Sequence, residues 1–377
     1  MHEDHERALK ALASRGRLRA LAPRRGVDFS SNDYLGLGAS PDLAGAITAA
    51  IARGVPVGAG GSRLLRGNDP EHETLEDEAA RFFGGDSALY MGGGFAANTA
   101  IFSVLPQRGD LIVHDELVHA SAHDGMRLSK ADRVAVAHND ADAFRDAIRD
   151  WRKAGRMGRV WIAVESLYSM EGDRAPLASL DQLAREIEAM LVIDEAHATG
   201  VFGPAGRGLG HGLEGAPHVV SLHTCGKALG VMGALIVAPR LLRDYLVNRA
   251  RPFIYATAPS PLMAAGVRAA LALSSSAPER REALHERIAI FGAALSGSCG
   301  IAPTGTQIQP VIVKSDTRAV WIADALQKQG FDVRAVRPPT VPEGTARLRV
   351  SLTLNASAAD MLSLVDALSR ELQRTEP

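Results

Sequence analysis

The sequence predicts an α/β fold: a mostly parallel sheet with helices on both faces, followed by a smaller C-terminal α/β domain. Three observations predict it. Short apolar runs of strand length alternate with helical patterns from about residue 40 to 258. Most of the runs are apolar throughout, as in strands buried on both faces. Beyond residue 258 the pattern changes to long helical stretches between widely spaced strands.

Taken in order, residues 1–27 read as a helix and a Pro/Arg linker, with no strand before Ser30. Helical stretches follow near 41–53, 71–83, 95–105, 140–153 and 179–189. The runs 88–91, 111–114, 133–137, 160–164, 191–193, 219–222 and 234–238 read as buried strands. One long helix is expected over 259–295. It leads to strands over 309–314, 332–336 and 347–352, with helices near 316–329 and 357–373. The expected organisation is an N-terminal segment over 1–40, a large domain over 41–258, and a small domain over 259–377 that includes the connecting helix.

Composition narrows the function classes. The chain is 46% hydrophobic and 23% charged with a net charge of -1, so it is expected to be globular, with no footprint for nucleic acid. Its one basic run (Arg15, Arg17, Arg19, Arg24, Arg25) fits a solvated face and an anion site equally well. Two cysteines without a CxxC pair exclude a disulfide framework and a thiolate zinc site, and no metal is expected. No apolar run reaches membrane-spanning length and the start, MHEDHERALK, lacks the apolar core of a signal peptide. A cytoplasmic location without membrane attachment is expected.

Four features carry chemistry. The strand 191–193 ends in Asp194, where a parallel sheet presents ligands, and His197 follows three residues later. A carboxylate there could keep a pyridine nitrogen protonated; it could equally cap a helix. The next strand ends in Thr224-Cys225-Gly226-Lys227-Ala228-Leu229-Gly230, a glycine-flanked turn with a lysine. Only six of the 42 basic residues are lysines, so candidates for a Schiff-base amine are few. Lys314 also follows a strand, but Ser315-Asp316-Thr317 reads as a polar helix start. Upstream, Tyr90-Met91-Gly92-Gly93-Gly94-Phe95 runs from a strand through three glycines into a helix, which suits a phosphate but also any tight loop. His119 could stack on an aromatic ring or serve as a cap. The order of these four, glycine turn, His, Asp, Lys, resembles the fold-type I, aspartate-aminotransferase-like enzymes, which carry pyridoxal 5′-phosphate (PLP).

The chain further resembles the α-oxoamine synthases. The matching segments are SSNDYLGL (30–37), GAGGSR (58–63), GFAAN (94–98), VHAS (118–121), DEAH (194–197), TCGKALG (224–230) and RPPTVPEGTARLRVSLT (337–353). The last is most similar to the biotin-pathway branch. The resemblance implies that Lys227 holds PLP as a Schiff base and later acts as base. Asp194 would pair with the pyridinium nitrogen, and His119 would stack on the ring and border the substrate. Ser169 and His197 would contact the cofactor at its phenolic oxygen. The Gly94 and Phe95 amides and the Thr224 hydroxyl would hold the phosphate. Arg349 would bind the amino-acid carboxylate, and Arg19 and Thr340 would line the acyl site. The implied reaction joins L-alanine to a pimeloyl thioester, carried by coenzyme A or an acyl carrier protein, in a homodimer. 5-Aminolevulinate synthase, glycine C-acetyltransferase and serine palmitoyltransferase share the Lys, Asp, His and Arg set. Two other classes fail on their motifs. A DEAH-type helicase needs GxxxxGK[ST] upstream, whereas Gly226-Lys227-Ala228 lies downstream. A zinc hydrolase needs HExxH, whereas His119–His123 lacks the glutamate.

Overall fold

The computed structural model describes residues 2–375; Met1, Glu376 and Pro377, the ends of the two terminal ranges, lie outside the described residues. The chain divides into two compact units. The larger covers Leu35–Ser169 and Arg174–Arg281. The smaller gathers the residues up to Tyr34, Met170–Asp173 and the residues from Glu282 onward.

In chain order the larger unit contains helices α1 (Pro41–Ala52) and α2 (Pro70–Phe83), strand β1 (Ser87–Met91), helix α3 (Gly94–Val104), β2 (Leu111–Asp115), α4 (Ala120–Leu128) and β3 (Asp132–Val136). Then come α5 (Ala141–Lys153), β4 (Val160–Glu165), α6 (Leu177–Glu186), β5 (Met190–Asp194), β6 (Val219–Thr224), β7 (Ala234–Ala238), α7 (Arg240–Arg249) and, after a single turn at Arg251–Ile254, α8 (Pro261–Ser276). The seven strands lie in the order β1-β7-β6-β5-β4-β2-β3, with only β7 antiparallel to its neighbours. Alternate residues feed separate cores. Ile112, Trp161, Ala163 and Val192 pack with α3 and α4, while Leu111, Val113, Ile162 and Leu191 pack with α5 and α6. Burial of both faces is what makes these strands apolar throughout. The register aligns the carboxyl ends: Glu165 lies beside Asp194, and Asp194 beside Leu222.

The close approach of α3 and α4 depends on Gly125. A Cβ there would meet the Asn98 carbonyl oxygen at 2.9 Å and Phe102 Cβ at 3.0 Å. Gly125→Ala would gain about 1 kcal/mol of helix propensity. Overpacking against a backbone atom costs about 1–3 kcal/mol and is expected to win. A thermal melt should show a lower Tm; a higher one would mean that the two helices can part freely.

In the smaller unit, Ala346–Ser351 is the centre of an antiparallel sheet between Arg334–Val336 and Ile308–Lys314, with helices Asp316–Lys328 and Ala358–Gln373. Helix Glu3–Ser14 belongs to this unit too. No helix among the described residues is long and apolar enough to cross a membrane.

Several expectations are corrected. A two-residue strand, Val27–Asp28, does precede Ser30 and pairs in parallel with Phe331–Asp332. The strand expected over 332–336 is split: Val333 turns inward, fully buried, and Arg334–Val336 joins the other sheet. The helix expected over 259–295 is two helices, broken where Pro278, which has no N–H to donate, starts the second (Pro278–Cys299). Strand β3 is a largely exposed edge strand, since among the described residues no strand pairs beyond it. The unit boundaries fall at Tyr34 and Arg281, not at 40 and 258. Helix α8 packs on α1 and α2, which places it in the larger unit, and residues 2–34 fold with the smaller one.

Candidate active site

Four chain segments meet at the carboxyl ends of β1, β2, β5 and β6. Strand β1 gives way to Gly92-Gly93, and α3 makes its first hydrogen bond from Ala97 N to Gly93 O, with no side chain capping that end. The leading N–H groups of the helix therefore point forward, and a Cβ on Gly92 or Gly93 would meet nothing within 4 Å. Gly94 is needed for packing: its Cβ would come 2.7 Å from Thr224 Cγ2 at the end of β6. Phe95 is 56% exposed, so its ring takes little part in the packing here.

The turn after β6 is closed by Val231 N to Cys225 O and Gly230 N to Lys227 O, both 2.9 Å. It shelters Lys227, which is half-buried, whereas the other five lysines are exposed. Lys227 Nζ lies 2.9 Å from His197 Nε2. Cys225 beside it is fully buried, and burial pushes its thiol well above the usual range, so the thiol is no nucleophile here.

Asp194 takes the capping role that its sequence position allowed, and its second oxygen is bound as well. Oδ1 accepts from Ala196 N at 2.9 Å, a cap of the turn, while Oδ2 accepts from Asn98 Nδ2 at 2.7 Å. Asn98 also donates to Ser121 Oγ at 3.0 Å. His119 likewise caps α4, accepting from Ser121 N, and its Nδ1 lies 2.7 Å from Ser121 Oγ. Burial holds the His119 pKa below the usual imidazole range; Asp194 opposes this, and Lys227 and His123 reinforce it. Burial thus favours the neutral imidazole, which lies within electrostatic reach of both Asp194 and Lys227.

Ser169 is buried, and its N–H donates to Glu165 Oε2 at 3.1 Å. The Thr224 hydroxyl, expected to reach a phosphate, donates to Ala196 O at 3.2 Å and would have to turn to do so. The glutamate inside DEAH is a brace. Glu195 is fully buried and accepts from Ser166 Oγ at 2.7 Å, Leu209 N at 3.0 Å and Gly210 N, with burial pushing its pKa up to about 7. Sequence reasoning gave no role to Asn98, Ser121 or Glu195. The available signal was a polar residue among the small apolar residues of α3.

The remaining three site residues belong to the smaller unit. Arg349 is buried and donates to Ser351 Oγ at 2.6 Å. Arg19 Nη2 meets Thr340 Oγ1 at 3.2 Å, so the two expected acyl-site residues are neighbours. They adjoin a cleft of about 320 Å³ lined by Arg15, Arg19, Pro338, Pro339 and Val341 among others. Arg347, on the same face of the strand as Arg349, is committed to Glu171 at 2.8 Å and to the Met170 carbonyl.

Comparison with known proteins agrees with this geometry. The family model for class I and II aminotransferases matches residues 24–368. An 8-amino-7-oxononanoate synthase of Chromobacterium violaceum is 42% identical over 346 residues, covering 91% of this chain and 88% of that protein. The chain belongs to the 8-amino-7-oxononanoate synthase family. A crystal structure of the Francisella tularensis 8-amino-7-oxononanoate synthase is 27% identical with a TM-score of 0.76, covering 92% of this chain and 98% of that one. A serine palmitoyltransferase solved with PLP is 25% identical with a TM-score of 0.86, covering 98% and 97%. The fold is therefore fold-type I, and the family is PLP-dependent. The residues of this family member fit PLP: an uncapped helix start with open space for a phosphate, an amine and a carboxylate on adjacent strand ends, and a neutral imidazole near both.

Proposed function

We propose that the chain joins L-alanine to a pimeloyl thioester, releasing CO2 and the free thiol and yielding 8-amino-7-oxononanoate for biotin synthesis in the cytoplasm. The observation that carries this is the 42% identity over 91% of the chain to a synthase of that name, with Lys227, Asp194 and His119 in one site.

PLP bound in this site supplies an electron sink for the pair left when the Cα–H bond breaks. The rest falls to the chain. The forward N–H groups of Gly94 and Phe95 would hold the phosphate, aided by the Thr224 hydroxyl once it turns from Ala196 O. Asp194 would set its negative charge against the ring nitrogen and so favour its protonated form. His119 would pack on the ring face, and Ser169 and His197 would contact the phenolic oxygen. The Lys227 amine takes the Cα proton of alanine and returns a proton at the end. Arg349 binds the amino-acid carboxylate as a planar fork, and Arg19 and Thr340 border the acyl chain. The working assembly is a homodimer, and the acyl carrier is coenzyme A or an acyl carrier protein.

Alanine, glycine and serine offered with pimeloyl, succinyl, acetyl and palmitoyl thioesters should rank clearly by kcat/KM for thiol release. Alanine with the pimeloyl thioester is expected to lead. A methyl group contributes only about 1–3 kcal/mol of discrimination, so glycine is expected to retain measurable activity. Highest efficiency with glycine and succinyl-CoA, or with serine and palmitoyl-CoA, would assign the chain to another branch.

A further inference from the structure

We infer that Asn98 is a positioning residue that locks the carboxylate of Asp194 and, through Ser121, directs the hydroxyl that bonds His119. The inference rests on the proposed role of Asp194 at the ring nitrogen and adds a residue that acts through it.

The direction of the chain of bonds follows from what each group can donate. An ionised carboxylate only accepts, so the Asn98 amide must turn its nitrogen toward Asp194 Oδ2, 2.7 Å away. The second hydrogen on Nδ2 then goes to Ser121 Oγ at 3.0 Å. That occupies a lone pair of the hydroxyl and directs its O–H to His119 Nδ1 at 2.7 Å, where Ser121 N also donates at 3.2 Å. Nδ1 thus accepts twice, and the proton of the neutral ring sits on Nε2. Reversing the sequence would set the amide oxygen against the carboxylate oxygen, which costs far more than the arrangement seen.

The setting supports a dedicated role. Asn98 is 2% exposed, in the interior of α3, flanked by Ala97, Ala100, Ile101 and Phe102. A buried amide is stable there only with partners. The short α3–α4 distance enforced at Gly125 brings Ser121 within its reach. With Ala196 N on Oδ1 and Asn98 on Oδ2, the Asp194 carboxylate is held at both oxygens, which would keep it turned toward the ring nitrogen of the bound cofactor.

A double-mutant cycle on the PLP-loaded enzyme tests this, reading exchange of the L-alanine Cα hydrogen in D2O and the dissociation constant of PLP. Asn98→Ala is expected to slow exchange about 10- to 100-fold, as loss of a hydrogen bond to a charged group does. In an Asp194→Asn background the same change should cost less than about 3-fold, since its target is gone. Imidazole ¹⁵N spectra should show His119 as the Nε2–H form in both proteins, because Ser121 N still donates to Nδ1, with the Nδ1 signal shifted toward a weaker hydrogen bond in Asn98→Ala, where the Ser121 hydroxyl is no longer directed. Asn98→Ser keeps one donor. It should fall between the two, and it carries the same cycle if the alanine variant folds poorly. Full additivity with Asp194→Asn, or wild-type exchange in Asn98→Ala, overturns the inference while leaving Asp194 in place. Wild-type exchange in Asp194→Asn overturns the Asp194 role and this inference together.

Discussion

Lys227→Ala is expected to abolish turnover, with kcat lowered by at least about 10⁴-fold, while the protein folds and still binds PLP noncovalently. The expectation rests on position as much as on residue type. The other five lysines are solvent-exposed, two of them (Lys130 and Lys314) beside strand ends, whereas Lys227 is half-buried with Nζ 2.9 Å from His197 Nε2. The tight turn at Cys225–Gly230 restricts the amine to one region. Gly230, at φ 67°, supports this turn, since its Cβ would come 2.5 Å from Gly38 N. The variant loses both the covalent anchor and the base, so exogenous amines should restore only a small part of the rate. Borohydride reduction of wild-type enzyme followed by peptide mass spectrometry should find PLP on the peptide containing Lys227. A label on Lys314 or Lys130 would defeat the assignment.

The strand ends carrying the chemistry were legible because a strand buried on both faces is an apolar run, and its first polar residue marks the edge of the sheet. Asp194 stands out in this way, as do the glycines before α3, whereas Thr224 follows two polar residues, Ser221 and His223, within β6. What was not legible depends on contacts between distant segments. Helix α4, ASAHDGMRL, has no strong apolar period; it forms where His119 caps it and where Gly125 lets it press on α3. Glu195 follows Asp194 in the chain, and only its bonds to Ser166 Oγ and to the N–H groups of Leu209 and Gly210 reveal it as a brace. Met170–Asp173 joins the smaller unit through Arg347 and Glu171, a pairing across 176 positions that no local pattern announces. Asn98 lay within a recognised segment, yet its role emerges only when Ser121 and Asp194 are seen on either side of it.

Asp194→Asn should separate PLP binding from Cα–H cleavage. The substitution keeps the shape of the side chain and removes its charge. Two charges about 4 Å apart in an effective dielectric near 20 interact by about 4 kcal/mol, so loss of the carboxylate should slow Cα-hydrogen exchange of L-alanine by roughly 10³-fold. The local geometry adds to the effect. Asp194 accepts from Ala196 N on one side and from Asn98 Nδ2 on the other. An asparagine amide has one oxygen, so it can accept from only one of the two, and its own N–H groups then face a donor. PLP content should change much less, because the phosphate is held at the start of α3 and the amine is on Lys227. Absorbance of the bound cofactor gives occupancy, and NMR of alanine incubated in D2O gives the exchange rate. Near-normal occupancy with exchange slowed a thousandfold is the expected pair of results. Exchange at the wild-type rate in the fully loaded variant would remove Asp194 from the ring nitrogen and reduce it to a cap of the turn after β5.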